Sequence, residues 1–286
     1  MLRKPARTQG PGTLCVILQQ CLLKMKLLFW NTKSCNQIDI IKSILNFNSP
    51  DFLFLAEMDL KILTDNNVEL LAIGYTVFPN PGCDKIKILK KKDLNGVELS
   101  IQHNDYSALY IKEQDLYIVS LHMPSQMAYS LDALKHNLSE FKFDIENSIG
   151  NSSEKKILMI GDFNVNPFES PIVNYDGLSA TNTINFNVIK THRKKQNHIY
   201  YNPTWKLYSQ NDFPGTFIKK RPSNSVFDVI DHHYLDQVIL SHNLKESLKS
   251  ENINIIRDTP EYLFCDTTRN RILISDHLPL KYEFEL

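Results

Sequence analysis

The five cysteines, Cys15, Cys21, Cys35, Cys83 and Cys265, include no CxxC pair, and an odd number scattered over so long a chain is a poor disulfide framework. A reducing, cytoplasmic compartment is the expectation. Net charge is missing too: 32 Lys+Arg balance 32 Asp+Glu. No global field draws the chain to nucleic acid or to an anionic membrane, so any anionic substrate must be held locally. The longest apolar run near the start, Leu14 to Leu18, stops at Gln19, far short of the ~18–20 residues that span a bilayer. No transmembrane helix is expected. Neither a GxSxG elbow, a GxxxxGK(S/T) phosphate loop, a GxGxxG turn nor an HExxH helix occurs. With 42% hydrophobic and 22% charged residues, disorder and collagen-like repetition are excluded.

What the chain does have is a regular alternation of short strands and amphipathic segments. Residues 1–24 carry Arg3, Lys4, Arg7 and a Gly/Pro patch at Gly10 to Gly12. They read as an extension outside the fold, disordered or non-native, and the domain is placed at 25–286. From Met25 the run Lys26-Leu27-Leu28-Phe29-Trp30 reads as a strand. Ile38, Ile41, Ile44 and Leu45 follow at helical spacing, Asn48-Ser49-Pro50 stops that helix, and Phe52 to Leu55 is the next strand. This is a βαβ-like opening. The strand group Ile86 to Leu89, Val97 to Ile101, Ala108 to Ile111 and Leu116 to Leu121 has hairpin-length connections, which predict antiparallel pairing. Leu131, Leu134, Leu138, Phe141 and Ile145 form one apolar stripe on a helix of about five turns. Ile157 to Ile160 is apolar throughout, as expected of a strand covered on both faces. Residues 175–232, rich in Asn, Lys, His and Tyr, are expected to be long loops with short elements. Strands resume at Val238 to Leu240, Ile253 to Ile256, Ile272 to Ile274 and Leu280 to Phe284. The fold class is α/β, in one domain.

Several strands finish in residues a core would not choose. Asn31 ends the first, Glu57 the second, His122 follows Leu116 to Leu121, Asp162 and Asn164 follow Ile157 to Gly161, and Asp276-His277 follows Ile272 to Ser275. Five such endings suggest a common rim. Three carboxylates gathered there repel one another unless a cation compensates them. Oxygen donors without thiolates suit Mg²⁺, with Mn²⁺ also possible, better than zinc. The histidines then serve phosphate oxygens, and Asp162 takes a proton from an attacking water. That chemistry is phosphoester hydrolysis. In Gly161-Asp162-Phe163-Asn164, glycine permits a tight strand exit, and the acid and amide face one side if the backbone stays extended.

The order Phe29-Trp30-Asn31, Leu55-Ala56-Glu57, Leu121-His122-Met123-Pro124-Ser125, Gly161-Asp162-Phe163-Asn164, Leu235-Asp236-Gln237-Val238-Ile239-Leu240-Ser241 and Ser275-Asp276-His277-Leu278-Pro279 resembles the endonuclease/exonuclease/phosphatase superfamily. The resemblance runs from about Lys26 to Phe284. It implies a four-layer sandwich, two mixed and mostly antiparallel β-sheets face to face with helices outside. It also implies metal binding at Asn31 and Glu57, with Asp276 near the metal. Asp162 then orients or deprotonates the water, Asn164 and His122 contact the phosphate, and Asp236 pairs with His277. Tyr106, before a strand entering the same rim, is a further candidate for phosphate contact. Asp231-His232-His233 is read as a loop rather than a ligand run, because adjacent residues on an extended chain point to opposite faces.

Two basic stretches bear on the substrate. Lys85 to Lys92 holds five lysines, and His192-Arg193-Lys194-Lys195 with Lys219-Lys220-Arg221 adds a second group. Flanking a cleft, they would neutralise backbone phosphates. Tyr200, Tyr201, Trp205 and Tyr208 lie between them and either stack unpaired bases or pack a satellite core. The expectation is a Mg²⁺-dependent phosphodiesterase, a nuclease acting on DNA or RNA. The alternative is a phosphoesterase acting on an inositol phosphate or phospholipid headgroup.

Overall fold

The computed structural model describes residues 24–126, 128–183, 189–192, 195–209, 215–218, 232–266 and 271–286. Residues 1–23 of the expected extension 1–24, Arg193-Lys194, Lys219 to Arg221 and Asp231 lie outside the described residues, whereas Lys24 already belongs to the first strand. The chain opens with Lys24–Asn31 (β1), Ile38–Asn48 (α1) and Phe52–Ala56 (β2). In β1 the alternation of side chains sends Leu27 and Phe29 to one face and Leu28 and Trp30 to the other, and both faces are buried. Ser49 closes α1 in the left-handed region at φ 47°, its N–H donating to the Leu45 carbonyl, a C-terminal stop of the kind expected before Pro50. β1 and β2 are parallel, with α1 as the crossover.

Helices Leu60–Asp65 (α2) and Asn67–Ala72 (α3) lead to strands Tyr75–Phe78 (β3) and Ile86–Lys91 (β4). Then come Val97–Gln102 (β5), Tyr106–Ile111 (β6), Leu116–His122 (β7), the helix Leu131–Ser148 (α4), Lys156–Asp162 (β8) and Ser170–Val173 (α5). The loop-rich region contributes Ala180–Thr181 (β9), Ile189–His192 (β10), Lys195–His198 (β11), Tyr200–Tyr201 (β12), a 3₁₀ helix at Pro203–Ser209, Phe217–Ile218 (β13) and His232–His233 (β14). The chain closes with Asp236–Leu240 (β15), His242–Ser247 (α6), Ser250–Ile255 (β16), Cys265–Asp266 (β17), Arg271–Ile272 (β18) and Leu280–Glu285 (β19).

Two sheets dominate. One has the order β16-β19-β1-β2-β4-β3, the other β5-β6-β7-β8-β15-β12-β9. Their facing sides make the central core, where Phe29, Phe54 and Phe284 of the first meet Ile118, Ile160 and Val238 of the second. The outer face of the first carries α1, with Leu28, Trp30 and Leu53 packed on Ile41, Ile44 and Leu45. The outer face of the second carries α4, with Val119, Ile157 and Met159 beneath Leu138, Phe141 and Ile145. The result is helix, sheet, sheet, helix. Fully burying each of these large apolar side chains stabilises the fold by roughly 1.5–3 kcal/mol.

Two expectations need correction. β4 and β5 are not a hairpin: β4 pairs with β2 and β3, whereas β5 pairs with β6 in the other sheet, because the turn between them carries the chain across the core. Ile272 to Ile274 is not a full strand; only Arg271–Ile272 pairs, with Cys265–Asp266. Among the described residues, no helix is long and apolar enough to cross a membrane.

Candidate active site

The site follows from strand register and side-chain alternation. In β8, Leu158 and Ile160 face the central core, so Asp162 at the same parity also faces inward. His122 of β7 lies directly opposite Asp162 on one side, and Asp236 of β15 directly opposite on the other. Paired residues of neighbouring strands share a face. The three side chains therefore stand side by side where the two sheets part. From the facing sheet, Asn31 ends β1 in register with Ala56, and Glu57 follows at once. Glu57 has φ 54°, a left-handed residue that turns the chain sharply off the strand end.

The loop before β19 brings the remaining groups. Ser275 Oγ donates to the Asn31 carbonyl at 2.8 Å, the His277 N–H donates to Ser275 Oγ at 3.1 Å, and Trp30 Nε1 donates to the His277 carbonyl at 3.1 Å. This turn is thus fastened to the end of β1. His277 Nδ1 lies 2.9 Å from Asp236 Oδ2, and both residues are buried. His277 Nε2 lies 3.8 Å from Asp162 Oδ2, as does His122 Nε2, which is also 3.7 Å from Glu57 Oε1. Asn31 Nδ2 donates to Glu57 Oε1 at 3.1 Å and to Asp162 Oδ2 at 3.2 Å. The Asn164 N–H donates to Asp162 Oδ1 at 2.8 Å, and its side-chain amide donates to the Met123 carbonyl at 2.7 Å. Asn164 is left-handed at φ 55°, which a short polar side chain tolerates.

These residues line a cleft of about 640 Å³ with Lys33, Ser125, Gln126, Asn166, Phe168, Glu169, Phe217, His233, Leu235 and Asp276. Its charge is dominated by carboxylates: Glu57, Asp162, Glu169 and Asp276 line it, and Asp236 lies behind His277. Lys33 is the lysine among the lining residues, and it pairs with Asp276. The His277 ring feels opposed effects. Its burial works against protonation, but the charges of Asp236 and then Asp162 outweigh that and push its pKa up to about 9.

The fit of this donor set to a cation rests on Glu57, with the charge of Asp162 close by: the neutral Asn31 amide lies between them, and among the described residues no ammonium or guanidinium is bonded to either. Carboxylate oxygens around a half-exposed opening suit a hard divalent ion. Asp162, Asp236 and His277 also lie within ligand reach of one another. We read those three differently, because Asp236 Oδ2 and His277 Nδ1 bond each other and so fix the imidazole, leaving His277 Nε2 toward Asp162.

No family model matches this chain, and no curated protein matches it in sequence. Its structure does have counterparts. It aligns with D. rerio TDP2 complexed with single strand DNA product over 91% of this chain and 98% of that one, at 17% identity and a TM-score of 0.58. An AP endonuclease from Archaeoglobus fulgidus aligns over 91% and 99%, at 16% identity and 0.57. The human Nocturnin catalytic domain with bound sulfate anion aligns over 92% and 96%, at 17% identity and 0.53. The chain has the deoxyribonuclease-I-like fold.

Within this fold, Asn31, Glu57, His122, Asp162, Asn164, Asp276 and His277 all line one cleft, with Asp236 immediately behind His277. Tyr106 does not, and that expectation is corrected. Leu109 and Ile111 of its strand face the central core, so Tyr106 at the opposite parity lies on the outer face. There it packs on Phe141 of α4 and donates to Asp144 Oδ2 at 3.0 Å. The lysines of Lys85 to Lys92 do not line the cleft either: Lys85 pairs with Asp105, Lys91 with Asp51, and Lys87 and Lys90 bond main-chain carbonyls. Sequence reasoning passed over Lys33, Asn166, Phe168, Glu169, Phe217 and His233. Asn166 carried a signal, because Asp162, Asn164 and Asn166 recur at every second residue. His233, set aside with its neighbour, lies 3.0 Å from Asn166 Nδ2 through Nδ1; the two histidines face different ways, and only His233 lines the cleft.

Gly161 also acts otherwise than expected. Its φ is not left-handed; instead a Cβ there would sit 2.1 Å from the Leu121 carbonyl oxygen. What it provides is close approach of β8 to β7, directly beside the His122–Asp162 pair.

Proposed function

We propose that the protein is a divalent-metal-dependent phosphodiesterase, and that its substrate is nucleic acid. The observation carrying this reading is the register that sets His122, Asp162 and Asp236 abreast on one face, with His277 held between two of those carboxylates. In this reading Glu57 holds the cation, with Asn31 and Asp276 beside it. A bound divalent ion supplies Lewis-acid charge at the phosphate.

The remaining work falls to side chains of the chain itself. Asp162, oriented by the Asn164 N–H and the Asn31 amide, takes the proton of the attacking water. His277 keeps its ring orientation through Asp236 and turns Nε2 toward the cleft, where a protonated imidazole stabilises charge building on the phosphoryl oxygens. His122 stands on the other side of Asp162 and serves a second oxygen or the leaving group. Asn164 positions the phosphate. The deoxyribonuclease-I-like fold and the likeness to an AP endonuclease and to TDP2 complexed with single strand DNA product support a phosphoester substrate, and the aromatic side chains of the cleft favour a nucleic acid.

The test is hydrolysis with Mg²⁺ and Mn²⁺ of linear and circular DNA, RNA, inositol phosphates and sphingomyelin. Cleavage of a polynucleotide with affinity falling steeply in salt supports the reading. Hydrolysis confined to a headgroup, with a shallow salt slope, replaces it.

A further inference from the structure

The aromatic residues of the loop-rich region divide once folded. Tyr200 and Tyr201 are core. Trp205 and Tyr208 instead join Phe168, which is six residues beyond Asp162 and lines the cleft. Ring centroids are 6.4 Å apart for Phe168–Trp205, 6.1 Å for Phe168–Tyr208 and 5.6 Å for Trp205–Tyr208. Tyr234, 4.1 Å from Tyr208, anchors the group from behind. Yet Phe168 is 45% exposed and Tyr208 40%. Phe168 is the member of the cluster that faces the cleft, with Trp205 and Tyr208 packed beside it, so the group is not a closed satellite core.

The same wall carries Gln126, Asn166 and Glu169. Glu169 Oε2 accepts from Gln126 Nε2 at 2.9 Å and from the Asn166 N–H at 2.6 Å. An aromatic face next to amide and carboxylate groups matches a planar heterocycle bearing donors and acceptors. An acyl chain would use none of the hydrogen-bonding capacity of this wall, and an inositol ring has no π face to stack.

We infer that Phe168, backed by Trp205 and Tyr208, is a stacking shelf for one unpaired nucleobase next to the scissile phosphate, making single-stranded nucleic acid the favoured substrate. This deepens the proposed nuclease function and rests on it. A paired base could not lie flat on the shelf without leaving its duplex.

Two measurements test it. Trp30 is fully buried beneath α1, so of the two tryptophans Trp205 is the one whose emission reports on the shelf. In EDTA, a single-stranded oligonucleotide is expected to quench wild-type emission. Phe168→Ala is expected to weaken binding roughly ten- to a hundredfold, the usual effect of losing one stacked base, and Phe168→Tyr to retain it. In Mg²⁺, wild type is expected to prefer a base-bearing strand to one with an abasic residue at the shelf position, and that preference is expected to collapse in Phe168→Ala and weaken in Tyr208→Ala. A Phe168→Ala enzyme that cleaves oligonucleotides with the full preference overturns the shelf and leaves the nuclease reading standing. A wild type that cleaves no oligonucleotide overturns both.

Discussion

Replacing Asp236 by Asn keeps the size of the side chain and removes one buried charge. Asp236 and His277 are 2.9 Å apart and both are buried, so the imidazolium loses its nearest counter-charge. The magnitude comes from the displacement of His277 from 6.5 to about 9, in which burial opposes protonation and the charges of Asp236 and Asp162 prevail. At ~1.4 kcal/mol per pH unit this corresponds to about 3 kcal/mol. That figure is a ceiling for the pair, because burial raises the Asp236 carboxyl in turn and works against its charged form. The sign is fixed: a histidine raised on folding stabilises fully below its unfolded value of 6.5, and this contribution fades as pH climbs through about 9. Urea unfolding of wild type and Asp236→Asn, both in EDTA, reads it directly. The stability gap is expected to be widest below pH 6.5 and to close above pH 9. A gap that stays constant over that range refutes the charge-pair reasoning.

Lys142 of α4 gives a pH dependence of the opposite sense. Its ammonium is buried against Asn197 and the His198 carbonyl, and desolvation lowers its pKa to about 8. The charged form is disfavoured in the fold, so wild-type stability is expected to rise between about pH 8 and 10.5 by up to about 3 kcal/mol relative to Lys142→Met, as denaturant melts across that window would register. Gly161→Ala places a methyl on the Leu121 carbonyl. It is expected to cost at least ~1–3 kcal/mol of overpacking and to depress hydrolysis as well, since the displaced ladder carries His122 and Asp162; an unchanged melt contradicts the close-approach explanation.

Much of the fold was legible because apolar residues announce strands and helices by their period. The stripe from Leu131 to Ile145 became α4 over Leu131–Ser148, and the crossover from β1 to β2 matched the expected opening. Polar strand endings marked the cleft, since Asn31, Glu57, His122 and Asp162 sit where a buried strand must meet water. Pairing was legible across the tight hairpins of β5, β6 and β7, but nothing in the turn between β4 and β5 says that the chain changes sheets. Tyr106 was misplaced although parity within its own strand, counted from Leu109 and Ile111, assigns it to the outer face. Lys33, Phe168 and Phe217 reach the cleft from turns and two-residue strands, where no periodic signal exists. Their position is set by tertiary contacts such as the ring packing of Phe217 on His277 at 4.8 Å. The tract Lys85 to Lys92 misled because lysines on strands serve nearby carboxylates and carbonyls as readily as a ligand.

The central claim is that one cleft unites a cation held by Glu57 with a proton acceptor at Asp162. Turnover of the best substrate from the panel should be measured with Mg²⁺ for wild type, Glu57→Gln and Asp162→Ala side by side, after each is shown to melt like wild type. Glu57→Gln is expected to need far more Mg²⁺ for half-maximal rate, and Asp162→Ala to lose at least ~10²-fold in rate at saturating Mg²⁺. Turnover in EDTA, or an Asp162→Ala enzyme as fast as wild type, contradicts it.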